Sequence, residues 1–243
     1  MQLRNALSDS IFDRLMGLAA GDVHPEDARL FALALSFHAT RAVGSMTALT
    51  GLSARALTVL FRRYFPGLLK AKPDGFCLKV FLHGLAGKNF LCRCDSVMAS
   101  SPTDGDAEEE TPQDTLIRRY GEISELRDLL LAHRTNGVEE EEWFASLLAR
   151  ASMGANHLWQ DAGFLGRNDV SLLLSRHFTS LHDKNTGNMK WKKFFYKQLC
   201  EREGMNLCRA PSCSECSDMP RCFGPEEAEE WELGSAITGA VPL

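Results

Sequence analysis

Apolar residues occur at helical spacing along most of this chain, and this pattern is the strongest constraint on its fold. Residues 27–43 and 116–134 each have a broad apolar face at helical spacing. The segment 138–153, which has glutamates near its start, places Trp143 on such a face. Hardly any segment alternates apolar and polar residues with a period of two, as a half-buried strand does. The sequence therefore predicts an all-α fold, built as a helical bundle.

Polar residues, proline and glycine predict where several of these helices begin and end. Ser53 is a suitable N-cap for a short helix that Pro66 ends. Asn168 and Asn188 are candidate N-caps of two later helices, the second of which is expected to end at Gly204.

A single break divides the chain. Residues 99–114 are rich in proline, serine and acids and almost free of apolar side chains, so they bury too little surface to offset the entropy of ordering. We predict a flexible acidic linker there. It separates an N-terminal helical region, 1–98, from a second helical domain, 115–243, and 243 residues are enough for both to have a core.

Charge and hydropathy exclude several classes of protein. The net charge of −5 argues against a general nucleic-acid binder, which is usually basic. The N-terminal segment shows no secretory pattern, and the longest apolar runs, such as 30–37, are too short to span a bilayer. We therefore expect a cytoplasmic protein without a nucleic-acid or membrane partner.

Half of the eight cysteines lie close together near the end of the chain, with the spacing C-x4-C-x2-C-x5-C. Thiolates at this density repel one another, and a metal that accepts their charge removes the repulsion. The pattern predicts an irregular metal-binding loop whose ligands are Cys208, Cys213, Cys216 and Cys222.

The spacing leaves the metal open. Four thiolates suit a structural zinc site. The C-x4-C-x2-C portion also matches the first three ligands of plant-type ferredoxins, whose fourth cysteine lies far away in sequence rather than five residues on. A pair of disulfides is the third alternative, which a reducing cytosol disfavours.

A basic and aromatic segment precedes the loop. Five lysines and no acid lie between Lys184 and Lys197. These lysines are either a solvated face over an aromatic core or a surface that attracts an oxyanion or an acidic partner.

Two histidines are candidate ligands. His157 lies in the segment 154–163, where it is either packed beside Trp159 or available to a transition metal. His177 lies on a predicted helix and is expected to be structural.

The remaining cysteines carry weaker signals. Cys200 is expected to be a buried thiol, although it is a spare candidate ligand. Cys92 and Cys94, with Cys77, allow a second site in the N-terminal region. No phosphate-binding loop, dinucleotide fingerprint or nucleophile elbow is present in the sequence, so we expect a protein that is not an enzyme.

Three motifs in order make a family resemblance specific. The segments NHLWQDAGF (156–164), NMKWKKFFYKQLC (188–200) and CRAPSCSECSDMPRCFGPEE (208–227) together resemble the NifQ family of nitrogen-fixation proteins. The resemblance covers about 116–227, and GLSARALTVLFRRYFPG (51–67) resembles a short element near the start of that family.

The resemblance implies a carrier that donates molybdenum to the scaffold on which the iron–molybdenum cofactor of nitrogenase is assembled. It implies an iron–sulfur cluster carrying molybdenum on the four cysteines of the loop, with His157 as a further candidate ligand. It also implies that Lys190, Lys192 and Lys193 attract molybdate or an acidic partner protein. The alternative is a zinc-stabilised interaction module that displays the basic helix.

Overall fold

The computed structural model describes residues 5–41, 45–69, 112–204 and 222–223. Within these ranges the chain is helical and contains no strand, which confirms the all-α prediction. In chain order the helices are α1 (Ala6–Met16), α2 (Pro25–Ala39), α3 (Met46–Thr50), α4 (Ala54–Tyr64), α5 (Pro66–Leu69), α6 (Pro112–Ala132), α7 (Glu139–Ser152), α8 (Leu158–Ala162), α9 (Arg167–His177), α10 (Thr179–His182) and α11 (Trp191–Arg202).

Three of the predicted boundaries are confirmed. The Ser53 hydroxyl accepts a hydrogen bond from the Ala56 amide at 3.1 Å and so caps α4. Helix α11 ends in front of Gly204, whose φ of +69° is the left-handed conformation that glycine adopts without strain. Helix α4 ends before Pro66, as predicted, and Pro66 then begins the short helix α5.

The two predicted asparagine caps are wrong. Helix α9 begins one residue before Asn168, and Gly166 stands at its N-cap. Helix α11 begins at Trp191, and Asn188 lies three residues earlier with a φ of +55°. Asn tolerates that left-handed conformation better than most residues, so it shapes the approach to the helix instead of capping it.

An aromatic cluster forms the centre of the core. The Phe31 ring of α2 stacks on Phe144 with ring centroids 4.1 Å apart, and it meets Tyr64 and Trp143 edge-on. All four side chains are buried. Helices from both sides of residues 70–111 therefore share one hydrophobic core.

Buried charges also connect the two parts. The Asp27 carboxylate of α2 lies 3.0 Å from His177 Nε2 on α9, with the Arg176 guanidinium 3.4 Å away. Arg29 pairs with Asp169 at 2.7 Å. Burial alone raises the pKa of the Asp27 carboxyl, but the hydrogen bonds and charges of His177 and Arg176 outweigh it and hold that pKa below its usual range.

The predicted linker and the cysteine loop fall largely beyond these ranges. Residues 112–114 belong to the first turn of α6, whereas 99–111 lie outside the described residues, so the domain boundary stays a prediction. Residues 205–221, which contain most of the loop, also lie outside them. Among the helices that are described, none is long and apolar enough to cross a membrane.

Candidate functional site

The turn before α11 is ordered by one asparagine and one arginine. The Asn185 side chain accepts a hydrogen bond from Met189 N at 2.8 Å and donates to Met189 O at 2.9 Å. The Arg167 guanidinium of α9 donates to Met189 O at 2.7 Å and to the Asn188 side chain at 2.9 Å, and it lies over the Trp191 ring. The start of α11 is therefore fixed in position by polar contacts from two sides.

A half-buried ion pair joins the first turn of α11 to the segment that contains His157. The Lys192 ammonium lies 2.6 Å from the Asp161 carboxylate and donates to Gly154 O at 2.8 Å. The same carboxylate accepts from the Asn156 amide and side chain, each at 3.0 Å. Burial lowers the pKa of Lys192, and the pairing with Asp161 offsets this only in part.

This ion pair gives Lys192 a different setting from its two neighbours. The Lys192 side chain is 17% exposed and its charge is balanced by Asp161. Lys193 is exposed, and Lys190 is half-buried at the N-cap of α11. Lys190 and Lys193 are therefore the better placed of the three to meet an anion or an acidic partner.

The last cysteine of the loop is held at the same end of α11. Lys190 N donates to Cys222 O at 2.8 Å, and Cys222 and Phe223 pack against the core from partly buried positions. Cys222 is a free cysteine, so its sulfur is available as a ligand. A Cβ added at Gly187 would lie 3.2 Å from the Phe223 ring, so the chain approaches that ring closely at a glycine.

His157 stands at the start of α8. Its amide donates to the Gln160 side chain at 3.0 Å and its carbonyl accepts from Asp161 N, so its backbone is held by two bonds. Its side chain is half-buried. The half-buried carboxylate of Asp161 thus lies one helical turn from His157 and pairs directly with Lys192 of α11.

A thiolate metal site fits what is described of this region. Within the described residues, no three histidine, cysteine or acidic side chains come together, and Cys208, Cys213 and Cys216 lie outside them. Cysteine sulfur suits iron–sulfur clusters and zinc alike. Cys222 has a free thiol, and the hydrogen bond to its carbonyl holds the residue in place, so this thiol is suited to bind such a group.

The other candidate ligands are placed away from this arrangement or not placed at all. His177 is buried in its pair with Asp27, which agrees with the structural role predicted for it. Cys200 is half-buried on α11. Cys77, Cys92 and Cys94 lie outside the described residues.

Sequence reasoning missed three residues that build this region, namely Asp161, Arg167 and Asn185. Asp161 and Lys192 had a usable signal, because an acid and a lysine stand inside two segments that carry the family resemblance. Arg167 and Asn185 lie outside those segments, and nothing in their local sequence indicates the contacts that they make.

The comparisons with known proteins agree on one family. The family model NifQ matches residues 79–224. Protein NifQ of Azotobacter vinelandii is 47% identical over 117 residues, which are 48% of this chain and 60% of that protein. The NifQ homolog of Sinorhizobium fredii is 47% identical over 104 residues, 43% of this chain and 45% of that protein. Protein NifQ of Klebsiella pneumoniae is 39% identical over 142 residues, 52% of this chain and 85% of that protein.

The match spans only 60% and 45% of the lengths of the Azotobacter and Sinorhizobium relatives. No solved structure matches the chain. The family model nevertheless covers more than half of the chain and includes the first two motifs described above and the four cysteines of the third. On these grounds the chain belongs to the NifQ family, whose members are implicated in nitrogen fixation.

Proposed function

We propose that this protein is a molybdenum carrier that holds molybdenum on an iron–sulfur cluster and donates it for assembly of the iron–molybdenum cofactor in nitrogen fixation. It acts as a carrier rather than as an enzyme. Its partners are the cofactor-assembly scaffold and associated nitrogen-fixation proteins, and molybdate is the form of the metal that it meets first.

One observation carries this proposal: the three family motifs meet around the N-terminal end of α11. The Lys192–Asp161 pair joins the second motif to the first, and the Lys190–Cys222 hydrogen bond joins it to the third. Residues far apart in sequence are thereby brought to one end of one helix. Such convergence is expected of a site and is not required for a helical core.

The chain supplies distinct ligands for this role. Cys208, Cys213, Cys216 and Cys222 would hold the cluster, and His157 is the further candidate ligand for molybdenum. When bound, the cluster supplies sulfide and a position that keeps molybdenum until it is transferred. The anchor on Cys222 keeps one end of the loop at the surface of the bundle, where a partner protein can approach it.

Positive charge near this end of α11 has two uses in the proposal. Lys193 is exposed and Lys190 is half-buried, so both can attract molybdate or an acidic surface of the scaffold. The pairing of Lys192 with Asp161 assigns it a positioning role, because it holds the His157 segment against α11.

Metal analysis of the intact, anaerobically purified protein tests this proposal. Iron, acid-labile sulfide and molybdenum in the same preparation are the expected result, measured by elemental mass spectrometry and sulfide assay. Zinc without sulfide would refute the carrier and support the alternative, a zinc-stabilised module that displays the basic helix. Iron and sulfide without molybdenum, after growth with molybdate, would refute the donor role.

Two substitutions test the ligand assignments. Cys213→Ala should abolish iron and sulfide binding, and full retention of iron would overturn the role assigned to Cys213. His157→Ala should lower molybdenum more than iron. Equal losses of the two metals would show that His157 has a structural role only.

A further inference from the structure

A pocket of about 440 Å³ lies beside the anchored end of the cysteine loop. The pocket is lined by the turn from Lys184 to Met189, by the face of α11 that carries Lys197 and Glu201, and by Phe223. The volume is far above the roughly 10–15 Å³ that admits one water molecule, so a small polyatomic ion fits. Because Phe223 follows Cys222 directly, the pocket adjoins the proposed metal loop.

Two lysines give the pocket its charge. Lys184 and Lys197 both line it. Lys184 Nζ lies 3.5 Å from His133 Nε2, and burial together with the Lys184 charge lowers the pKa of that histidine, which disfavours its charged form. Glu201 lies 3.6 Å from Lys197 and is the acid that lines the pocket. The lining therefore carries a net positive charge.

Hydrogen-bond donors complete the lining. Thr186 contributes a hydroxyl, and its amide and that of Gly187 donate to no partner within the described part of the chain. The neighbouring amides of Met189 and Lys190 are already used, by the Asn185 side chain and Cys222 O. Among the described residues, two main-chain donors of this turn therefore have no partner, and such amides are common ligands of anions.

We propose that this pocket binds a tetrahedral oxyanion dianion between Lys184 and Lys197. Two cations, a hydroxyl and amides without a described partner suit such an anion. The pocket is too small to hold a folded segment of a partner protein, of which only one or two side chains would fit. The inference rests on the proposed function for the biological identity of the ion, which is then molybdate held beside Cys222. Sulfate has the same shape and charge and is the chemically equivalent competitor.

Glu201 gives the proposal a second, opposite consequence. Its carboxylate pairs with Lys197 when the pocket is empty and repels an anion that enters. Removing that carboxylate is therefore expected to tighten binding, whereas removing either lysine weakens it. A purely structural role of these residues would not produce opposite signs.

Equilibrium dialysis of the full chain against molybdate, with metals removed and under reducing anaerobic conditions, tests the pocket. Lys184→Ala and Lys197→Ala should each weaken binding about tenfold, the typical effect of losing one charged hydrogen bond. Lys197→Arg should retain most of the affinity, and Glu201→Gln should increase it. Sulfate should compete with molybdate in the wild type and lose that effect in the lysine variants.

Matched controls separate a local effect from a change in net charge. Arg62→Ala removes an exposed cation on α4, and Glu203→Gln removes an exposed acid just beyond α11; neither residue lines the pocket. Both should leave the affinity for molybdate unchanged. Equal effects of Arg62→Ala and the lysine variants, or no binding by the wild type, would overturn the pocket.

Different results would contradict the proposed pocket and the proposed carrier function. If intact protein contains iron, sulfide and molybdenum but its affinity for molybdate does not depend on Lys184 or Lys197, the pocket is wrong and the carrier stands. If oxyanion binding depends on both lysines but intact protein never contains molybdenum, the pocket stands and the carrier is wrong.

Discussion

Two pairs of polar side chains have different roles in this molecule. Asp27 and His177 join α2 to α9 across the centre of the fold, and their side chains are 7% and 5% exposed. Asp161 and Lys192 join two family motifs at one end of α11, with 10% and 17% exposure. The first pair connects helices that share the aromatic core, whereas the second joins a short segment, which contributes Leu158 and Ala162 to the core, to the start of α11.

The two pairs differ in what their loss is expected to change. Breaking a buried pair leaves an uncompensated charge, and the cost rises with burial. The Asp27 pair therefore contributes mainly to stability. The Lys192 pair also sets the position of His157 relative to Cys222, so its loss should change the site more than it changes the fold.

The shared core gives the largest expected effect. Phe31→Ala removes the ring that contacts Tyr64, Trp143 and Phe144, and should lower the free energy of unfolding by about 4 kcal/mol. Both ion pairs should then be lost in one urea transition, followed by circular dichroism and by tryptophan fluorescence. Separate transitions for the two signals would contradict a single core.

Asp27→Asn breaks the central pair at constant size. It should cost about 3 kcal/mol in urea unfolding, because His177 and Arg176 lose their anionic partner inside the protein. Glu26→Gln is the matched control, since Glu26 is 40% exposed and its pair with Arg29 should contribute well under about 1 kcal/mol. If both substitutions lowered the free energy of unfolding equally, the Asp27 pair would be no more stabilising than the exposed Glu26 pair.

Lys192→Met breaks the pair at the site. We expect a smaller loss of stability, about 2 kcal/mol, because the Asp161 carboxylate keeps its bonds from Asn156. Molybdenum content per folded protein should fall, whereas Asp27→Asn should leave it unchanged. Arg202→Met, an exposed cation in the last turn of α11, should change neither quantity. A loss of stability with full molybdenum content would reduce Lys192 to a structural role.

The smallest effects are in the pH dependence, where both pairs make stability rise with pH but in different pH intervals. The pKa of Asp27 is lower in the folded state than its unfolded value near 3.8, so its stabilisation is present above that pH and disappears as the pH falls through the folded pKa. The pKa of Lys192 is lowered from 10.5, so the unfolded state holds more protons between its folded and unfolded pKa values. In that alkaline interval the Lys192 contribution to stability rises with pH.

Urea unfolding across pH measures both contributions. Asp27→Asn should flatten the acid limb of the stability curve only, and Lys192→Met the alkaline limb only. A substitution that changes the opposite limb would show that the pKa shift has been assigned to the wrong pair.

The sequence by itself determined the helical class, because apolar spacing reports which face of each segment is buried without reference to its neighbours. It determined the cap at Ser53 and the end at Gly204 for the same reason, since both depend on local backbone geometry. It also placed the four loop cysteines and His157 in recognisable motifs.

The tertiary structure decided what those motifs do together. Asn168 and Asn188 look like caps locally, but Gly166 stands at the N-cap of α9 and the bonds of Asn185 and Arg167 order the turn before α11. In the sequence, Lys192 resembles the other lysines of its segment. In the structure, its charge is balanced by Asp161, which is far away in sequence. Long-range contacts of this kind depend on how helices pack, and no local pattern in the chain specifies them.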